Sequence, residues 1–343
     1  MEDNNLDNRV PSPAIANEVE EQIDVALRPQ YLVDFVGQEP IKKNLSISIQ
    51  AAKKRGEPLE HILLYGNPGL GKTTLANIIA REMGVNIKTA TGPTMEKVGD
   101  LAAILSNMGE GEILFIDEIH RLNKSIEEVL YPAMEDYSLN IIIGSGPAAR
   151  TIKMPLNRFT LIGATTKTSM IMGPLRDRFG HDFHLNFYEI DDIKKILARN
   201  AQILKTPICP DSIHLLATRA RRTPRIANRL LKRTRDYAEV YHDGSIGEDI
   251  AKRAMGLLSI DEYGLDEVDR KILETMISKF AGGPVGLNTL AAATSEEMEA
   301  IENIYEPFLL QLGFLERTPR GRKATPKAYE HLGFELPLSQ TLL

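Results

Sequence analysis

The stretch "HILLYGNPGLGKTTLANIIAREMG" (residues 61–84) decides the fold. It opens with "HILLYG", a short continuous apolar run of the kind that forms a parallel strand buried on both faces. From Gly66 onward "GNPGLGKTT" (66–74) fits the pattern G-x-x-x-x-G-K-[ST], with Gly66, Gly71, Lys72 and Thr73 in the four fixed places. Glycines let successive backbone N–H groups curl around an anion, lysine adds a point charge for the outer phosphates, and the threonine hydroxyl suits Mg2+. Leu75, Ile78, Ile79 and Met83 then share one helical face, and Gly84 stops the helix. Strand, phosphate loop and helix in that order point to a nucleotide site in an α/β sheet.

Working outward, "EILFIDE" (112–118) and "FTLIGATT" (159–166) repeat the apolar-strand pattern between helical stretches, so the α/β region runs from Asp24 to about Tyr188. Its phosphate site belongs at the carboxyl ends of the strands. Ser125 and Glu128 fit a capping box for the helix "IEEVLYPAMEDY". Asp117 and Glu118 end the strand "ILFI", where two acids are costly unless they meet a cation or water. Asp117 is thus a candidate for holding Mg2+, and Glu118 for polarising an attacking water; two solvated strand-end acids are the plainer alternative. Thr166 is favoured as the hydroxyl that touches the γ-phosphate or the water, with Thr165 nearly equal. "GPLRDRFG" (173–180) holds two arginines, suited either to a neighbouring subunit's site or to exposed salt bridges. Arg225, just after Pro224 at a helix start, is placed to reach the nucleotide from the following region.

From Glu189 strands give way to helices: "IDDIKKILARNAQIL", "DSIHLLATRA" and "PRIANRLLKRTRDYAEVY". A third region starts with "DEVDRKILETMISKF", whose Val268, Ile272, Leu273, Met276, Ile277 and Phe280 form one buried stripe. "NTLAAAT" reads as a second helix, and Thr294 with Glu297 as a capping box for a third. "FLERTPRGRKATPKAYEHLG" reads as a hairpin, giving a winged helix-turn-helix. The expected division is an acidic tail (1–22), a large α/β nucleotide-binding domain (23–188), a small helical domain (189–258), a winged head (259–336) and a C-terminal tail (337–343).

With 43% apolar and 26% charged residues the composition is that of a soluble globular protein. The single cysteine, Cys209, cannot form an internal disulfide and reads as a small buried residue suited to a reducing compartment. No apolar run is long enough to span a bilayer and the acidic start lacks secretory features, so no membrane role and a cytoplasmic location are expected. The net charge of -6 argues against a polyanionic partner, yet basic residues crowd into 218–235 and 316–327. In "RTPRGRK", Arg317, Arg320, Arg322 and Lys323 surround a tight turn, a shape that fits DNA phosphates and carries little base-reading capacity.

Taken in order, "LRPQYLVDFVGQE", "GNPGLGKTTLA", "LFIDEIHRL", "EEVLYPAMEDY", "GPAAR", "FTLIGATT", "PLRDRFG", "TPRIANRLL", "GGPVGLNTLAAA" and "RTPRGR" resemble the RuvB family, the AAA+ motors of Holliday junction branch migration. The likeness covers nearly everything from Ala26 to Gly333. It implies ATP and Mg2+ as cofactors and a homohexameric ring around duplex DNA at Holliday junctions, partnered by RuvA and by a RuvC-type resolvase in a larger complex. By the same likeness Leu27, Arg28 and Tyr188 lie by the adenine. Gly69, Lys72, Thr73 and Thr74 map onto the phosphate and magnesium contacts, and Glu135, Asp136 and Tyr137 onto a further nucleotide-side segment. Arg178 matches the finger acting in trans and Arg225 the lid sensor. The segment 139–154 resembles the hairpin that docks RuvA; its apolar run Ile141, Ile142, Ile143 equally suits burial in its own domain. The chain departs from the family pattern at Asn67 and in its longer acidic start. A clamp-loader-like replication ATPase, a protein unfoldase and a winged-helix regulator switched by ATP are the rival classes. The winged head, the lack of an aromatic pore loop and a wing suited to sequence-indifferent binding weigh against them in turn.

Overall fold

The computed structural model describes residues 23–143 and 150–336; both expected tails, and the tip of the 139–154 segment, lie outside the described residues. Along the described chain the strands are β1 (Ile62–Tyr65), β2 (Ile87–Thr91), β3 (Ile113–Asp117), β4 (Ser138–Ile143), β5 (Arg150–Pro155), β6 (Thr160–Thr165), β7 (His181–His184), β8 (Leu315–Thr318) and β9 (Gly321–Ala324). Five of them form one parallel sheet in the order β2-β3-β6-β1-β7. Around it lie α1 (23–27), α2 (Glu39–Arg55), α3 (Lys72–Met83), α4 (Val98–Ser106), α5 (Lys124–Glu135) and the short α6 (Gly173–Arg176).

Both sheet faces are dry, as the continuous apolar runs require. Ile62, Leu64, Ile113, Phe115 and Ile162 enter one buried cluster, while the alternate residues Leu63, Leu114, Ile116 and Leu161 enter the other. In register, Tyr65 pairs with Thr165 and Ile116 with Gly163, which brings the carboxyl ends of β1, β6 and β3 to one level. The edge strands β2 and β7 are less buried and more polar, which is why they carry no apolar-run signal. β4 and β5 pair as an antiparallel hairpin beside the sheet; the side chains of Ile141, Ile142 and Ile143 lie outside the described residues.

The lid consists of α7 (Ile190–Ile203), α8 (Pro210–Arg219), α9 (Pro224–Tyr241) and α10 (Glu248–Leu257). Its apolar residues, among them Leu197, Leu216 and Leu231, join the cluster on one face of the large sheet. Cys209 is half-buried and caps α8, its Sγ accepting from the Ser212 amide. The head has a separate core and runs α11 (Glu267–Phe280), α12 (Leu287–Thr294), α13 (Met298–Ala300), a π-helical turn (Ile301–Tyr305), α14 (Glu306–Leu312), β8, β9 and α15 (Pro326–Leu332). Val285 makes an isolated antiparallel bridge to Arg322 on β9 of the β8–β9 hairpin.

Two expected caps are corrected. Helix α5 starts earlier than expected: Asn123, not Ser125, is its N-cap, with Oδ1 accepting from the Ile126 amide at 3.0 Å. Thr294 does not open a helix but ends α12, its hydroxyl donating to the Leu290 carbonyl at 2.8 Å; the next helix begins at Met298. A capping box does stand where none was expected, at Asp266 and Asp269 before α11.

Candidate nucleotide cleft and basic wing

Chain geometry at the end of β1 makes the phosphate loop. Gly66 turns at φ 142°, and a Cβ there would lie 2.5 Å from the Leu185 carbonyl oxygen. Gly69 turns at φ 78°, where a Cβ would meet Thr223 at 2.8 Å and Arg225 at 3.0 Å. Glycine thus serves left-handed backbone and lets the loop touch the lid. The α3 N-terminus follows at once, aiming unpaired amides and the positive end of the helix dipole into the loop.

Lys72 is 8% exposed, and its Nζ donates to the carbonyls of Gly66 at 2.7 Å and Asn67 at 3.0 Å. Burial pulls its ammonium down to about 8, against the pull of Asp117. A buried cation held only by carbonyls favours an incoming anion. Thr73 Oγ1 donates to Asp117 Oδ2 at 3.3 Å, a pair of oxygens of the kind a hard divalent cation takes alongside phosphate oxygens. Among the described residues no group of three or more His, Cys, Asp or Glu could hold a metal ion. Glu118 sits in the left-handed region at φ 49°, a conformation that costs a non-glycine residue about 1–2 kcal/mol. Its carboxylate is steered by Arg121, 3.3 Å away.

These groups border a cleft of about 760 Å³ between the sheet end and the lid. It brings together Gly69, Gly71, Lys72, Thr73, Thr74, Asp117, Glu118 and Thr166 with the lid's Arg225 and with Leu27, Arg28 and Tyr188. Thr165 is 1% exposed and turned inward, its Oγ1 3.0 Å from His120 Nδ1, so Thr166 is the hydroxyl that faces the cleft. Buried Leu27, Phe35 and Tyr188 give the cleft an apolar wall, a fit for a purine ring. Arg199 fastens this wall by donating to the Leu27 carbonyl at 3.0 Å. Sequence reasoning passed over Phe35, Asn228 and Arg229, which also line the cleft; Phe35 lies inside the quoted block "LRPQYLVDFVGQE".

Glu135, Asp136, Tyr137 and Arg178 do not line this cleft. They gather at the end of α5: Arg178 Nη2 donates to Glu135 Oε2 at 2.9 Å, and its guanidinium lies over the Tyr131 ring at 4.6 Å. Asp136 pairs with Lys153, and Tyr137 packs on Phe159. Arg176 makes a looser ion pair with Asp182 at 3.7 Å.

In the wing, Arg320 is exposed at the hairpin turn. Arg317 and Arg322 both converge on Glu306 of α14, which is 1% exposed; Arg322 grips it with two hydrogen bonds, at 3.1 and 3.0 Å. Burial pushes the Glu306 acid up, yet the two guanidinium groups hold it below the usual carboxylate range. Sequence reasoning missed Glu306 because its partners lie 11 and 16 positions away.

Comparison with known proteins completes the description. Three family models match in succession: the Holliday junction DNA helicase RuvB P-loop domain over 27–185, the RuvB AAA lid domain over 188–261 and the RuvB C-terminal winged helix domain over 262–333. The Holliday junction branch migration complex subunit RuvB of Dehalococcoides mccartyi is 58% identical over 311 residues, 91% of this chain and 89% of that one. The chain belongs to the RuvB family. The Thermotoga maritima RuvB Holliday junction branch migration motor superposes with a TM-score of 0.84 at 49% identity, covering 91% of this chain and all of that one. The Aeropyrum pernix ORC2 protein, at 16% identity and a TM-score of 0.52, covers 85% of this chain and 92% of its own; that likeness is one of fold. The parallel sheet, lid and winged head described above are therefore those of an AAA+ RuvB protein.

Proposed function

We propose that this RuvB-family chain is the ATP-driven motor of Holliday junction branch migration, working as a homohexameric ring on double-stranded DNA. One observation carries the reading: the groups suited to binding and cleaving a nucleoside triphosphate meet in one cleft, while Arg178, suited to the same chemistry, lies off it. A residue so placed serves the cleft of the next subunit, so the catalytic set is complete only in a ring.

When bound, Mg2+·ATP supplies a γ-phosphoryl group whose transfer to water releases the free energy for movement. Lys72 and the amides of the α3 N-terminus hold the phosphates, with Gly69, Gly71 and Thr74 lining the loop. Thr73 and Asp117 offer oxygens to the magnesium ion. Glu118 orients the attacking water and accepts its proton, Thr166 hydrogen-bonds the γ end, and Arg225 ties the lid to it. Leu27, Arg28 and Tyr188 hold the adenine. Glu135, beside Asp136 and Tyr137, parks Arg178 at the subunit edge. The wing offers Arg317, Arg320 and Arg322 to phosphates, with Arg322 mainly holding Glu306 in place, which makes binding salt-dependent and indifferent to sequence, as translocation requires. The 139–154 hairpin docks RuvA, and a RuvC-type resolvase joins the larger complex in the cytoplasm. The domain division at 23–188, 189–258 and 259–336 is supported by the separate core of the head and the lid helices that follow Tyr188.

The test is ATP-dependent dissociation of a synthetic four-way junction, with and without RuvA. Wild-type protein with RuvA resolves the junction into duplexes and Lys72→Ala does not; a junction left intact by the wild type contradicts the reading.

A further inference from the structure

Among the described residues, ion pairs of very different burial join the head to the lid and to the large domain. On the lid side Arg221 is 6% exposed and donates to Asp266 at 2.6 Å, to the Gly264 carbonyl at 3.1 Å and to Asp269, which is wholly buried. Its guanidinium also lies over the ring of Phe308, in α14, at 5.2 Å. Neither partner can leave such a buried, multiply bonded pair without stranding an uncompensated polar group, which ties the head to the lid. On the other side Lys167 of the large domain donates to Glu302 at 3.2 Å and stands 3.7 Å from Glu299. These side chains are 22%, 38% and 59% exposed, and solvent-exposed pairs of this kind contribute little to stability. The second contact is the easier of the two to open.

Its two ends lie at places of consequence. Lys167 directly follows Thr166, which lines the cleft, and its amide donates to Thr165 Oγ1 at 2.9 Å. Any shift at the end of β6 is thus passed to the base of the lysine side chain. Glu302 sits in the π-helical turn Ile301–Tyr305, one turn before Glu306, the acid that holds Arg317 and Arg322 of the wing. Single π turns recur where a helix has been bent to functional use.

We propose that Lys167 is a latch whose ion pair with Glu299 and Glu302 couples the nucleotide cleft to the DNA-gripping head. The latch is closed when the head rests on the large domain and opens when lid rotation carries the head away. Lys167 is a positioning residue, and its role rests on the motor reading above.

A charge-reversal cycle in the full chain tests it with K167E, the pair E299K/E302K, and all three together. Three quantities are read: DNA-free ATP hydrolysis, its stimulation by four-way junction DNA, and the distance between spin labels at Ser106 and Glu330 in a Cys209→Ser background. Either reversal alone keeps DNA-free hydrolysis within about twofold, cuts DNA stimulation by about fivefold, and lengthens and broadens the label distance. The triple variant regains both stimulation and distance, which a merely structural lysine would not do. Single reversals that leave stimulation and distance as in the wild type, or a triple variant that recovers neither, overturn the latch. A wild-type protein that junction DNA does not stimulate, but whose label distance still follows the cycle, overturns the motor reading and leaves the latch standing.

Discussion

At the residue scale, the buried ammonium of Lys72 makes nucleotide binding a proton-linked event. With no anion present it titrates near 8, and phosphate charge raises that value, so the protonated form binds best. Affinity for ATP is therefore flat below about pH 8 and falls as pH rises through it, with proton uptake on binding. Calorimetry in buffers of different ionisation enthalpy measures that uptake, and a pH-independent affinity between pH 7 and 9 contradicts it. Glu118 bears the complementary prediction. Glu118→Gln keeps the side-chain shape and loses the proton acceptor, so ATP binding persists while turnover falls by about 100-fold or more. Brisk single-turnover hydrolysis by this variant removes Glu118 from its role. That Glu118 holds a left-handed backbone was not legible in the sequence, since nothing but the surrounding fold imposes it on a glutamate.

At the element scale, the wing separates arginines that grip from one that mainly holds. Arg320 is exposed at the turn, whereas the Arg322 side chain is 16% exposed and locked to Glu306. Arg320→Ala lowers the slope of log affinity for DNA against log salt by about one and leaves the melting temperature unchanged. Arg322→Ala strips a buried carboxylate of its bidentate partner and destabilises the head by about 3–5 kcal/mol. Salt-titrated DNA binding beside thermal melts of both variants distinguishes the two; equal melting temperatures refute the holding role.

The same scale shows what the sequence made readable. Strands β1, β3 and β6 are central, buried on both faces and continuously apolar, so they stand out. Strands β2 and β7 lie at the sheet edges, where half-exposed positions admit Lys88, Thr89, His181 and Asp182 and erase the pattern. The phosphate loop was legible because its chemistry is local. The Glu306 cluster and the Arg221 clamp were not, since each joins residues from separate elements. Asn123 took the cap from Ser125 because the helix began two residues earlier than the apolar spacing implied.

At the scale of the whole molecule, each cleft is closed by its own lid but lacks an arginine that its own chain holds elsewhere. On the proposed motor reading, chemistry and movement are properties of neighbouring copies, with the lid and head moving together on the large domain. The most direct measurement is ATP hydrolysis by mixtures of Lys72→Ala and Arg178→Ala on junction DNA. Each variant alone is inactive, while an equal mixture builds rings in which about a quarter of the interfaces pair an intact Lys72 with an intact Arg178, restoring hydrolysis in that proportion. Mixtures as inactive as the separate variants, or an Arg178→Ala protein that hydrolyses ATP unaided, contradict a site shared between subunits.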